Sequence, residues 1–330
     1  MTNETVTARA PRTVLAFTKD AVFSVNGGLG MLLLIAVVIF TLLGGARFAS
    51  IQNVRSMAFQ MPEFGLLAMA MAVTLLTGGL NLSIIATSNL CALTMAYVMV
   101  TASGAGAPPL LGEVLGVIAG LAVGVLVGLL NGYLIAYLRV SPILTTIGTM
   151  TLLRGLAIGL THGSVISGVP SSILAIGSGS VFGIPISLIL FGLCALVVAI
   201  MLNRTAMGTF MYMMGSNERA TYFSGVDTKG LVLRVYVLSG LLCAVAGLVM
   251  LARFNSANAT YGEAYLLGTI LAAALGGVNM NGGFGKVFGV VLALVILQVI
   301  SSAFNQLAIS PYLTLAIWGA ILIATACARL

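Results

Sequence analysis

Charge is what this chain lacks. Of 330 residues only 14 are lysine or arginine and 7 aspartate or glutamate, 6% in all, against 60% hydrophobic, and the mean hydropathy is +1.17. So few charges cannot cover a water-facing surface, which excludes a soluble globular protein and defines a polytopic membrane protein. Histidine is almost absent too: His162 is the only one, which excludes a helical His-Glu-x-x-His zinc site and makes that residue a solvated loop side chain. No Gly-x-Ser-x-Gly nucleophile elbow occurs. The nearest approach to a phosphate-binding loop, Gly282-Gly283-Phe284-Gly285-Lys286-Val287, fails in spacing and in its last residue. Catalytic residues and a resident nucleotide site are therefore not expected. The four cysteines, Cys91, Cys194, Cys243 and Cys327, stand alone in apolar segments at no metal-ligand spacing and read as packing residues, with no metal site. The basic residues are scattered singly, without a basic stripe or interleaved aromatics, so no nucleic-acid partner is expected.

What the chain has in abundance is apolar segments. At roughly 20 residues per crossing they fall at residues 30–43, 64–76, 84–103, 114–138, 144–160, 184–202, 231–251, 266–278, 287–304 and 312–328. The expected fold is an all-α integral membrane helical bundle of about ten spans, with broken or re-entrant helices among the shorter ones. Residues 21–330 form one transmembrane domain after a polar tail, 1–20. That tail carries Arg9, Arg12 and Lys19 ahead of an apolar run with no small-residue cleavage site, and the run is read as a retained first span. Cytoplasmic loops keep an excess of lysine and arginine. With both termini inside, the inner connections hold Arg9, Arg12, Lys19, Arg139, Arg204, Arg219, Lys229, Lys286 and Arg329, and the outer ones only Arg47, Arg55 and Arg253. Gly116, Gly120, Gly124 and Gly128 recur every fourth residue, a smooth strip that favours close helix packing over a pore lining.

The long apolar block from Phe64 to Met99 is interrupted once, at Thr77-Gly78-Gly79-Leu80-Asn81-Leu82-Ser83. A straight helix over the block would reach roughly 50 Å, past a hydrocarbon core of about 30 Å. The chain must stop and turn there, and the freed backbone groups need protein or a water-filled cavity around them. Gly78, Gly79, Asn81, Ser83 and Asn89 are thus candidate borders of a solute path, while Asn81 and Ser83 serve equally as caps on the next helix. A second break, Gly276-Gly277-Val278-Asn279-Met280-Asn281 and the glycines after it, adds Gly276, Gly277 and Asn279. Arg154 is the one strong intramembrane charge, expected to anchor on carbonyls, Glu113 or Glu263 rather than on a solute. Between Asn203 and Gly230 lies the most polar stretch after the tail, with capping residues and glycine stops that predict two short helices on the cytoplasmic side.

At these residues the chain resembles the permease subunits of bacterial ABC importers of the ribose, xylose, arabinose, galactose and autoinducer-2 type. The carriers are Thr77 to Ser83, for the family's Gly-Gly-Ile-Asp-Leu-Ser, then Leu152-Leu153-Arg154-Gly155, Gly208, Gly215-x-Asn217-Glu218-x-Ala220, Gly225-Val226, and Leu275-Gly276-Gly277 with Gly282-Gly283-x-Gly285. The resemblance implies a multi-pass protein of the bacterial inner membrane and a second permease, identical or not. It also implies a periplasmic sugar-binding protein and a cytoplasmic ATPase that holds the ATP and magnesium, no cofactor being bound by this chain. It further implies that Gly208, Gly215, Asn217, Glu218, Arg219 and Gly225 in the inner loop, 203–230, dock on that ATPase, and that the solute is a monosaccharide or related compound. Alternatives are a permease for branched-chain amino acids or nucleosides and an ion-coupled secondary carrier. The chain departs from the pattern in having Asn81 for the usual Asp, and Leu266-Leu267-Gly268-Thr269-Ile270-Leu271 where the family tends to show Glu-Leu-x-Ala-Ile-Ala. Two acidic positions are thereby absent.

Overall fold

The computed structural model describes residues 25–327; the tail 1–20 and Arg329 lie outside them. Among the described residues eight helices are long and apolar enough to cross a membrane: α1 (Val25–Phe48, apolar over Gly27–Gly45), α2 (Ile51–Leu76), α3 (Ile84–Gly104), α4 (Pro109–Ala136), α5 (Pro142–Thr161), α7 (Ile186–Arg204), α10 (Thr228–Phe254) and α12 (Val287–Gln306). Two shorter apolar helices, α11 (Tyr265–Leu275) and α13 (Pro311–Cys327), complete the bundle. The 11 residues of α11 reach only about 16 Å, half a bilayer, so the segment expected to cross at 266–278 is a half-helix stopped by Gly276-Gly277.

The helices α2 and α10 are the buried centre, and the large exposed apolar side chains sit chiefly on α1, α4, α5, α7 and α13, which form the outer face of the bundle. The glycine strip of α4 is packing surface. A Cβ on Gly116 or Gly120 would meet Met99 or Met95 of α3, and one on Gly124 would stand 2.5 Å from the Gly240 carbonyl oxygen of α10. The relation is reciprocal: a Cβ on Gly240 would collide with the carbonyl oxygen of Gly124. Helices without a hydrophobic driving force between them gain contact area this way, by backbone approach.

Three expectations change. The second span starts at Ile51, not Phe64, so Arg55 lies on a helix rather than in an outer loop. The polar residues that lower hydropathy there are spent on α12, where Ser302 Oγ donates to Asn53 Oδ1 at 2.7 Å. Arg253 likewise sits in the last turn of α10, held by the carboxylate of Glu63. The connection from Thr161 to Ile184 is not plain Gly/Ser chain: it holds β1 (Ile166–Ser167), α6 (Ser171–Ser178), β2 (Ser180–Val181) and β3 (Ile184–Pro185). β1 pairs antiparallel with β4 (Ser256–Ala257), β2 with β3, and Gly177 of α6 presses on the backbone of Ala252.

The stretch from Asn203 to Gly230 contains the two short helices α8 (Ala206–Ser216) and α9 (Glu218–Phe223). Their ends follow capping chemistry. Thr205 and Asn217 accept the Gly208 and Ala220 N–H groups at 3.4 and 3.0 Å, and Asp227 opens α10 by accepting the Gly230 N–H at 3.1 Å. Gly225, at φ +82°, closes α9: its N–H donates to the Tyr222 carbonyl and the Val226 N–H to that of Thr221.

Candidate functional site

The first break is built around Asn81, which is buried. Its Oδ1 accepts both the Ser83 N–H (3.1 Å) and the Ser83 hydroxyl (2.7 Å), so the amide, not the serine, satisfies the orphan backbone donor. The Ser83 side chain makes no cap bond to α3. Asn81 Nδ2 donates to Ser239 Oγ at 3.0 Å, and the Ser239 hydroxyl donates in turn to the Ala70 carbonyl. On the other side Asn131 Nδ2 donates to Ser83 Oγ at 3.0 Å and Thr149 Oγ1 to Asn131 Oδ1 at 2.7 Å. One chain of hydrogen bonds therefore ties α2, the break, α10, α4 and α5 through buried side chains. In a dry interior an unpaired member would be costly, and a saturated network fixes one arrangement of the helices.

The second break reaches the first through glycine. The Gly283 N–H donates to the Leu76 carbonyl at 2.9 Å, and a Cβ built on Gly78 would lie 3.3 Å from the Asn281 carbonyl oxygen. Gly215, near the end of α8, completes the junction: a Cβ there would collide with both the Leu76 carbonyl oxygen and the Gly283 amide nitrogen. Three backbones from distant parts of the sequence meet where no side chain fits. The Tyr212 hydroxyl, one turn earlier, donates to the Gly285 carbonyl at 2.8 Å.

Beside this junction is a cavity of about 870 Å³. Gly78, Gly79 and Tyr236 line it together with Glu218, Arg219, Arg139 and Lys229. Tyr236 is 1% exposed and its hydroxyl has no hydrogen-bond partner among the described residues. The hydroxyl oxygen itself is closed off from the cavity, so it is an unpaired buried group and not an open contact point. The structure thus brings two of the path candidates, Gly78 and Gly79, together with two of the inner-loop candidates, Glu218 and Arg219. The cavity takes its cations from two parts of the chain: Arg139 between α4 and α5, and Arg219 with Lys229 from the stretch 203–230.

The other candidates lie elsewhere. Asn81 and Ser83 stand behind the cavity wall in the network. Asn89 is buried and donates to the carbonyls of Ala259 (3.0 Å) and Tyr261 (2.8 Å), pinning the chain after β4. Gly276 packs on the Val290 backbone, and Asn279 Oδ1 accepts the Asn281 N–H at 3.0 Å to shape the turn. Gly208 presses on Leu202 at the end of α7. Arg154 pairs with Glu263 at 2.8 Å, both half exposed, while Glu113 takes the hydroxyl of Ser172 instead. Sequence reasoning missed the cluster of Glu63, Arg253 and Tyr265 inside the bundle, where the Tyr265 hydroxyl donates to Glu63 Oε1 at 2.6 Å. A lone acidic residue within an apolar helix was the available signal. Tyr236 was missed as well; nothing in its local sequence distinguishes it.

The two helix breaks thus meet at Gly215, beside a cavity lined by charged residues. The chain belongs to the family described as branched-chain amino acid transport system / permease component, whose model matches residues 53–326. Among curated proteins it is 33% identical to the ribose import permease protein RbsC of Bacillus subtilis over 293 residues, 88% of each chain. It is also 33% identical to the L-arabinose transport system permease protein AraH of Escherichia coli, covering 89% of this chain and 88% of that one. The autoinducer 2 import system permease protein LsrD of an Enterobacter species is 31% identical over 90% of this chain and 91% of its own. No solved structure matches. The resemblance to permease subunits of bacterial ABC importers for sugar-type solutes, read from the motifs, holds over most of the chain.

Proposed function

We propose that this chain forms the translocation path, across the bacterial inner membrane, for a monosaccharide or closely related sugar-like solute handed over by a periplasmic binding protein. A second permease subunit completes the membrane unit, and a cytoplasmic ABC ATPase binds ATP with magnesium and supplies the energy. The observation that carries this reading is the shared cavity: Gly78 and Gly79 at the first break and Glu218 and Arg219 of α9 line one space. Gly215 of α8 at the same time touches both breaks. Nucleotide binding shifts a two-state bundle only through differential contacts, and α8 supplies such a contact without an intervening side chain. In this reading α8 and α9 dock on the ATPase through Asn217, Glu218 and Arg219, with Gly208 and Gly225 setting the helix ends. Gly78 and Gly79 border the solute, Asn81, Ser83 and Asn89 hold the walls, and Gly276, Gly277 and Asn279 form the opposing hinge.

Uptake competition tests the solute class. With the assembled importer in proteoliposomes, uptake of a labelled sugar is expected to be suppressed by unlabelled ribose, arabinose or another monosaccharide and left unchanged by leucine or a nucleoside. Competition by leucine, with none by sugars, would assign the chain to the amino-acid side of its family.

A further inference from the structure

A second cavity, of about 300 Å³, opens between α2, α11, α12 and α13 and shares no lining residue with the vestibule. Three aromatic rings stand in its wall: Phe64, Tyr265 and Trp318, the only tryptophan of the chain. The Phe64 and Tyr265 rings are 5.7 Å apart at 54°, and the Tyr265 hydroxyl is held by Glu63, so this part of the wall is fixed. The polar part of the lining includes three amides, Gln60, Gln298 and Asn305, and two hydroxyls, Ser301 and Thr314, and no charged side chain among the described residues lines the cavity.

Gln298, Ser301 and Asn305 follow one another at spacings of three and four, so α12 presents them on one face. They have hydrogen-bonding capacity to spare. Gln298 is 8% exposed, and its one side-chain hydrogen bond is a 3.4 Å contact donated to Gln60 Oε1. The side chains of Ser301 and Asn305 bond to nothing among the described residues, whereas the neighbouring Ser302 is spent on Asn53. Gln298 is buried and Ser301 half-buried, while Asn305 is exposed in the last turn of α12; polar side chains inside a membrane bundle cost free energy unless they are paired or face a cavity that satisfies them. An acyl chain in this space would leave the amides unbonded, and a charged solute would find no counter-ion. A neutral polyhydroxylated ring suits both halves of the wall. Its hydroxyls donate to and accept from carboxamides, which do both, and its C–H faces lie on aromatic rings. The volume is at the lower end of small-molecule sites, roughly 300 to 1,000 Å³.

We propose that this cavity is a monosaccharide-binding subsite of the permease. The proposal rests on the sugar-import reading above and adds the place and the groups. Because Trp318 is alone, the intrinsic fluorescence of the full chain in lipid nanodiscs reports this cavity without a label. Titration with D-ribose, L-arabinose, D-xylose, D-galactose, D-glucose and myo-inositol is expected to give a saturable change with at least one, and none with leucine or phosphate. Gln298→Leu is expected to weaken that response roughly tenfold and the gentler Ser301→Ala roughly threefold, with matching rises in the KM of uptake by the assembled importer. If the importer takes up a sugar but Trp318 stays silent to every compound and Gln298→Leu leaves KM unchanged, the subsite is wrong and the sugar-import reading stands. Quenching of Trp318 by brominated phosphatidylcholine that no sugar relieves would put a lipid chain in the cavity and overturn the subsite in the same way. An importer that takes up leucine and no sugar would overturn both.

Discussion

Gly215 and Gly283 are in backbone contact: a β-carbon on Gly215 would collide with the Gly283 amide nitrogen and with the Leu76 carbonyl oxygen that this amide binds. The end of α8, the end of α2 and the second break therefore move together or separate. Gly215→Ala must push one of the three away, an overpacking cost of about 1–3 kcal/mol. The expected outcome is an importer that still hydrolyses ATP while uptake per ATP falls several-fold, measured by parallel phosphate-release and uptake assays. Unchanged coupling would remove the junction from the transmission route.

Asn81 holds the buried network between Ser239 and Ser83. Asn81→Leu leaves the Ser83 N–H and the Ser83 hydroxyl proton without their acceptor and takes the donor from Ser239 Oγ, a loss of about 1–3 kcal/mol per orphaned group. A lowered thermal midpoint of the purified permease checks this. Asn81→Asp is expected to destabilise as well, because no cation belongs to this network among the described residues and the Ser239 hydroxyl already donates to Ala70.

Tyr236 makes the opposite case. Its hydroxyl is unpaired, so Tyr236→Phe is expected to leave the thermal midpoint unchanged or slightly raised, since removing a buried unsatisfied group costs nothing. Uptake kinetics are expected to be unchanged, since the hydroxyl is closed to the vestibule; slowed uptake would contradict its role as a packing residue.

Two ion pairs separate by burial. Arg253→Ala strands the Glu63 carboxylate, 1% exposed, and is expected to cost about 3–5 kcal/mol. Glu63→Gln keeps an acceptor for Tyr265 and is expected to be milder. The Arg154–Glu263 pair is half exposed, and Arg154→Ala is expected to change stability by at most about 1 kcal/mol. Thermal unfolding of the variants in one detergent ranks them; an equal loss for Arg154→Ala and Arg253→Ala would contradict this ordering.

Composition and spacing made the membrane class, the break at Gly78-Gly79, the packing face of α4 and the short helices after Asn203 legible, because each rests on local chemistry: apolar run length, glycine placement and capping residues. Glu263 was legible as one of the possible anchors of Arg154. What stayed hidden was everything set by distant contacts. Residues 51–63 read as too polar for a span because their partners on α12, Ser302 and Gln298, are far along the chain. The meeting of both breaks at Gly215 and the separation of Asn81 from the vestibule depend on how the helices stack. The row Gln298, Ser301, Asn305 was legible in principle, as polar residues at helical spacing within an apolar helix.

A conduit whose opening is worked by a separate ATPase through α8 and α9 cannot fill a compartment by itself. The most direct measurement is solute accumulation in proteoliposomes holding the permease with its ATPase, supplied with binding protein and sugar, in the presence and absence of ATP. Accumulation is expected only when the ATPase and ATP are both present, and none from an imposed proton or sodium gradient. Gradient-driven accumulation by this chain alone would contradict the conduit.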